Sequence, residues 1–206
     1  MKNPPRRRLR PLATLAIVAV IAVIATLGIA AYSTAQQTVD TAVGAPDRDV
    51  TIPDPPADQP FSADSGYLPF GGTVSPFDEQ LPIIANLDPA LRAALQDAAT
   101  AASDDGVEMV VTSGWRSAEY QQALLDDAVK KYGSLVEARK WVSTPELSAH
   151  VTGDAVDVGY TDADSWLSQH GDDYGLCQIY ANEMWHFELA TRPGGFCPAQ
   201  RQDAAG

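Results

Sequence analysis

The strongest constraint in this 206-residue sequence is an uninterrupted 21-residue apolar run, Leu12 to Tyr32 (LATLAIVAVIAVIATLGIAAY). Hydrocarbon offers no partners for backbone N–H and C=O groups, so such a run must satisfy them internally, as a helix. At 1.5 Å per residue it reaches roughly 30 Å, the depth of a bilayer core. Lys2, Arg6, Arg7, Arg8 and Arg10 precede it, and no charge occurs from Pro11 through Val39. The positive-inside rule makes 1–11 a cytoplasmic basic tail and 12–32 a single-pass transmembrane anchor. The rival reading is a secretory signal cleaved among the small residues near Ala30 to Ala35, although its apolar stretch is usually only about 7–15 residues. Both readings export the body. The expected location is therefore the plasma membrane with an extracytoplasmic domain, or a secreted domain if the segment is cut.

The net charge of −13 hides a division. Beyond residue 39 there are 9 basic and 27 acidic groups, a balance of −18. A body this acidic has no clustered cations to neutralise phosphates, which argues against nucleic acid as a partner. The 45% apolar content is inflated by the anchor, yet four Trp and 20% charged residues mark a folded body rather than a disordered one. The only cysteines are Cys177 and Cys197. In an oxidising compartment they most simply form one disulfide; a pair of metal thiolates is the alternative, but no CxxC knuckle accompanies them.

Residues 41–80 hold seven of the fifteen prolines, in strings such as PDPPADQP and PFGGTVSPF. This composition reads as an extended extracellular spacer over 33–80. Tyr67, Leu68, Phe70 and Phe77 would bring its end against the folded part. A compact domain is expected over 81–200, with 201–206 as a flexible tail. Asp88-Pro89 is a helix start, apolar residues follow at Leu91, Leu95, Ala98 and Ala102, and Gly106 is the stop. Val107 to Thr112 reads as a strand. Ser117 caps a second helix, and Ser134 to Glu137 has a capping-box pattern. Ala155 to Tyr160, Leu176 to Tyr180 and His186 to Ala190 read as strands, and Asp164 to Gln169 as a short helix. The expected class is α+β, with a small, largely antiparallel sheet and flanking helices, preceded by the transmembrane helix.

Two of the three histidines sit in dense contexts, Ser148-Ala-His150-Val-Thr152-Gly153-Asp154-Ala-Val-Asp157 and Glu183-Met-Trp185-His186. Zn²⁺ takes imidazole nitrogen and carboxylate oxygen, and a catalytic site keeps one position open. His150, Asp157 and His186 supply such a set, with Gly153 turning the chain between the first two. Glu183, three residues before His186, can serve a water there without being a ligand. Trp185 would pack over the site. Taken singly, a histidine is more often a surface or core residue than a ligand, and His170 reads as surface. Arg116, in Ser113-Gly-Trp-Arg116-Ser117, falls where a strand turns into a helix. It suits a carboxylate or a developing oxyanion, or simply a turn-capping salt bridge.

SGWRSAEYQ, SxHxxGxAxD and ExWH, in that order over roughly residues 85–190, resemble the VanY-type zinc D-alanyl-D-alanine carboxypeptidases. Their superfamily also holds lysostaphin-like peptidases and the hedgehog domain. The resemblance implies a fold built around one Zn²⁺ per chain, with His150, Asp157 and His186 as ligands. It makes Glu183 the catalytic base and Arg116 the oxyanion-stabilising group, and it puts Ser113, Gln121, Ser148 and Thr152 on the pocket lining. Asp154 is a candidate supporting acid. The implied substrate is a peptidoglycan stem peptide. Two alternatives remain, an L-alanyl-D-glutamate endopeptidase and a non-catalytic zinc-stabilised cell-wall-binding module. A penicillin-type serine enzyme needs SxxK, and no Ser here is followed three residues later by Lys. The stretch between Gly175 and Glu183 is short for the family, and the cysteine pair is not part of its motif.

Overall fold

The computed structural model describes residues 61–69 and 71–205. The basic tail, the apolar run and most of the Pro-rich spacer lie outside them. Among the described residues, no helix is long and apolar enough to cross a membrane.

A short helix, α1 (Pro82–Ala85), leads into the principal one, α2 (Pro89–Asp104). Asp88 caps α2 by accepting from the backbone N–H groups of Ala90 and Leu91, and Pro89 sits where no donor is needed. Leu91, Leu95, Ala98 and Ala102 form its buried stripe, as their spacing predicts. The N–H groups of Gly106 and Val107 return to the Ser103 and Ala102 carbonyls. That return keeps Val107 tied to the helix end. Strand β1 therefore covers Val110–Ser113, rather than starting at Val107.

Ser117 caps α3 (Ala118–Tyr132) through Tyr120 N–H, and Ser134 caps α4 (Leu135–Ala138) through Glu137 N–H. One further turn, α5 (Ala149–Thr152), precedes β2 (Ala155–Gly159). Then come α6 (Thr161–His170), β3 (Leu176–Gln178) and β4 (His186–Leu189). The helix expected at Asp164 to Gln169 starts earlier, and the strands expected to reach Tyr160, Tyr180 and Ala190 stop short of them.

The four strands form one antiparallel sheet in the order β1-β2-β4-β3. Its register decides what each face carries. Val111 pairs with Val158, and Val156 with Phe187, so these side chains share the face that packs into the core with Leu91 and Leu95. Asp157 pairs with His186, and Ala155 with Glu188, which puts those four on the opposite face.

Two expected boundaries move. The domain reaches back to Phe61 instead of beginning at Leu81. Val74 is buried and exchanges two backbone hydrogen bonds with Val111, at 3.0 and 2.8 Å. Phe61 and Tyr67 pack their rings on Tyr120. Phe77, by contrast, is exposed, and Phe70 lies outside the described residues. Arg201 to Ala205 are docked rather than flexible. Arg201 N–H donates to the Ile179 carbonyl and Ala181 N–H to that of Arg201, both at 2.9 Å. Tyr67 and Leu68 pack on the domain as expected, but backbone pairing of this kind is invisible to composition. The Cys177–Cys197 disulfide is formed.

Candidate metal centre

Three separate elements converge on one point. His150 rides on the α5 turn, Asp157 on β2 and His186 at the start of β4. His150 Nε2 lies 3.2 Å from His186 Nδ1, and Asp157 Oδ1 lies 3.3 Å from the former and 3.1 Å from the latter. All three residues are buried. Three ligands at about 2.0–2.1 Å from a tetrahedral ion stand roughly 3.3 Å from one another. The spacing therefore fits a metal without rearrangement, and these atoms can hold one ion.

The opposite ring edges are also occupied. His150 Nδ1 faces the Gly114 carbonyl at 2.8 Å, and His186 Nε2 faces Glu188 Oε1 at 3.1 Å. A ring N–H donated to either acceptor leaves the inward nitrogen free as a lone pair. Position 114 must be glycine for this, because a Cβ there would collide with the Ile83 carbonyl. Gly153, at φ +82°, ends α5 where a side chain would strike the Asn86 carbonyl.

Sequence reading missed Glu188. Its available signal was its place two residues beyond His186 on a strand, which puts it on the same face. Replacing Glu188 with Ala is expected to weaken metal affinity about 10–100-fold while the fold persists. A competition titration against a chelating dye checks this; an unchanged affinity would show that the contact does not orient the ring.

Arg116 is fixed by three contacts. Nε donates to Ser113 Oγ at 2.8 Å, Nη1 to Gln121 Oε1 at 3.0 Å, and Nη2 to Asp157 Oδ2 at 3.0 Å. A guanidinium carries five N–H donors, so one on each Nη remains for a ligand. Burial works against the Asp157 carboxylate, but His150, His186 and Arg116 together hold it far below the usual range. Burial, then the Arg116 charge, pushes His150 down. Burial also opposes a charged His186, but Asp157 and Glu188 outweigh it and raise the ring to about 9.

Glu183 lies in the turn that feeds β4, whose His186 N–H closes onto the Glu183 carbonyl. The residue is 6% exposed, with Oε2 3.9 Å from His186 Nδ1 and Oε1 buried without a partner. Burial raises its carboxyl to about 7. A buried carboxylate oxygen with nothing to bond is costly unless a ligand or water meets it.

A cavity of about 240 Å³ opens over this cluster, lined by Ser148, Tyr180, Glu183 and Trp185 beside the three candidate ligands, Arg116 and Gln121. Two expected pocket residues are elsewhere. Thr152 is exposed and donates to the Ala149 carbonyl and to Asp154, a local turn motif that also takes Asp154 away from the site. Ser113 does not line the cavity but accepts from Arg116. His170 is exposed, as expected. Tyr180, whose ring lies 4.9 Å from that of His186, had no sequence signal.

Two histidines and a carboxylate around one position, with an unpaired carboxylate beside it, define a mononuclear metal-hydrolase type of site. Residues 85–193 match the family profile described as VanY, D-alanyl-D-alanine carboxypeptidase. The chain is 31% identical over 144 residues to the D-alanyl-D-alanine carboxypeptidase of Enterococcus faecalis (strain ATCC 700802 / V583), an alignment covering 55% of this chain and 54% of that protein. It thus spans about half the length of that curated relative. Among solved structures, a mutant of the VanB-type vancomycin resistance D,D-pentapeptidase VanY, in complex with Zn(II), is 29% identical with a TM-score of 0.47, over 53% of this chain and 73% of that one. The D,D-dipeptidase VanXYg, in complex with a D-Ala-D-Ala phosphinate analogue, is 29% identical with a TM-score of 0.48, over 59% and 57%. The chain belongs to the VanY D-alanyl-D-alanine carboxypeptidase family.

Proposed function

We propose that this chain is a zinc-dependent D-alanyl-D-alanine carboxypeptidase acting on peptidoglycan stem peptides. The observation that carries the reading is Glu183 Oε1, buried and unpartnered beside three convergent ligand atoms. His150, Asp157 and His186 would hold the metal. A borderline-soft donor set of two imidazoles and one carboxylate suits Zn²⁺. When bound, Zn²⁺ acidifies water and polarises a peptide carbonyl.

The remaining steps belong to the protein. Glu183 takes the proton of the attacking water on its carboxylate and returns it to the departing amine of D-alanine. Arg116 turns its free Nη hydrogens toward the carbonyl oxygen as charge develops there, from a position its three fixed contacts pre-organise. Gln121 holds that guanidinium, and Ser148 and Trp185 line the peptide's path. A non-catalytic binding module has no use for a buried, unpaired glutamate, which disfavours that alternative.

The protein would work on the outer face of the plasma membrane. The basic cluster ahead of the Leu12 to Tyr32 run and the formed disulfide support export and anchoring. The test is digestion of a synthetic stem pentapeptide, with and without chelator and with zinc restored. Loss of a single D-alanine, abolished by chelation, is expected. Cleavage between L-alanine and D-glutamate would move the bond to the endopeptidase alternative; no product with zinc restored would refute the peptidase reading.

A further inference from the structure

Beyond Cys197 the chain runs back across the molecule and touches the site. The disulfide ties it to β3, and Arg201 pairs with Tyr180 in a parallel bridge. Ala204 packs on Cys177, Ile179 and Tyr180, and it lines the metal-site cavity. From Ala204 a line of hydrogen bonds runs inward. The Ala204 carbonyl accepts from Ser143 Oγ at 3.1 Å. The Ser143 carbonyl accepts from Gln121 Nε2 at 2.9 Å, while Gln121 Oε1 accepts from Arg116, which reaches Asp157. A second tie joins Ala204 N–H to the Lys140 carbonyl, which also accepts from Asn182 Nδ2 at 3.0 Å. The segment so fastened carries Trp141, Val142 and Ser143, which form a wall of the same cavity.

We propose that residues 197–205 are a strap that determines substrate specificity: it fastens the 141–143 wall of the pocket and so limits the occupant to a peptide ending in small residues. The inference rests on the carboxypeptidase reading above. A cavity of about 240 Å³ falls below the roughly 300–1,000 Å³ of pockets for drug-sized ligands, so it suits a short peptide end. The wall's inner side is held by Trp141 and Val142 N–H on the Ala138 carbonyl and by Val142 on the Leu125–Ala128–Ala138 cluster, and the strap adds the ties at Ser143 and Lys140 that set how far the wall stands into the cavity. Each extra methylene that a rigid pocket refuses changes selectivity about 10–200-fold.

The experiment compares kcat/KM on two stem pentapeptides, one ending in D-Ala-D-Ala and one in D-Ala-D-Leu. It uses the full chain and two variants. The double variant C177S/C197S frees the strap. Ser143→Ala keeps the disulfide and removes only the bond to Ala204. Zinc content is measured in each. The wild type is expected to favour the D-Ala peptide, and both variants to lose at least tenfold of that preference, mainly through KM, with one zinc per chain retained. An undiminished preference in the Ser143→Ala protein overturns the strap, even if the double variant fails to fold. A wild type that prefers D-Leu overturns it as well. A wild type that releases no terminal residue from either peptide overturns the carboxypeptidase reading and the strap's role with it.

Discussion

Glu183→Gln is expected to keep one zinc per chain and to lose about 10²–10⁴-fold in kcat on a D-Ala-D-Ala peptide, with KM little changed. The substitution preserves shape and removes the one property the proposed reaction asks of this side chain, a carboxylate that can hold a proton. The donor atoms that converge to hold one ion are those of His150, Asp157 and His186, with Glu183 Oε2 standing off at 3.9 Å from His186 Nδ1, so metal content should not depend on Glu183. The amide also relieves the burial of an unpaired carboxylate, so no loss of stability is expected from packing. Steady-state kinetics beside metal analysis decides the matter. A variant that turns over within a few-fold of wild type removes Glu183 from the chemistry, whatever its burial.

His186→Ala is expected to abolish both metal binding and turnover, and to make the protein indifferent to added zinc. His186 is the hub of the centre. Its Nδ1 meets His150 and Asp157, its Nε2 meets Glu188, and its ring supports Tyr180. Without it the buried Asp157 keeps Arg116 as its partner, which spares the fold an uncompensated charge. A ligand that binds only the folded state adds about 2.7 kcal/mol at a hundredfold excess over Kd. Zinc should therefore raise the melting temperature of the wild type by several degrees and leave the variant unmoved. Equal zinc-induced stabilisation in the two proteins would place the metal elsewhere.

Much of the local structure was legible from residue types. Asp88-Pro89, Ser117 and Ser134 start helices because their side-chain oxygens accept backbone N–H groups a few residues on, a local interaction that spacing reveals. The α2 stripe was legible from its 3.6-residue period. His150, Asp157 and His186 were picked out by chemistry and by family resemblance, and they converge as expected.

Thr152 and Asp154 show where that reasoning fails. They sit in the same motif as His150, but Thr152 bonds back to its own turn and draws Asp154 with it, away from the cavity. Proximity along the chain did not decide which way a side chain turned.

The sequence by itself determined the kinds of group available: two imidazoles, paired carboxylates, one arginine at a strand–helix junction, and a cysteine pair. These follow from side-chain chemistry and from periods of a few residues. Only the tertiary structure decided which of them meet. The pairing of Asp157 with His186 across β2 and β4 set the face on which the ligands lie and brought in Glu188. The pairing of Arg201 with Tyr180, and of Ser143 with Ala204, turned an expected loose tail into a wall of the site. Such contacts join residues tens of positions apart, and their register is selected by burial of the whole sheet and core rather than by any local pattern.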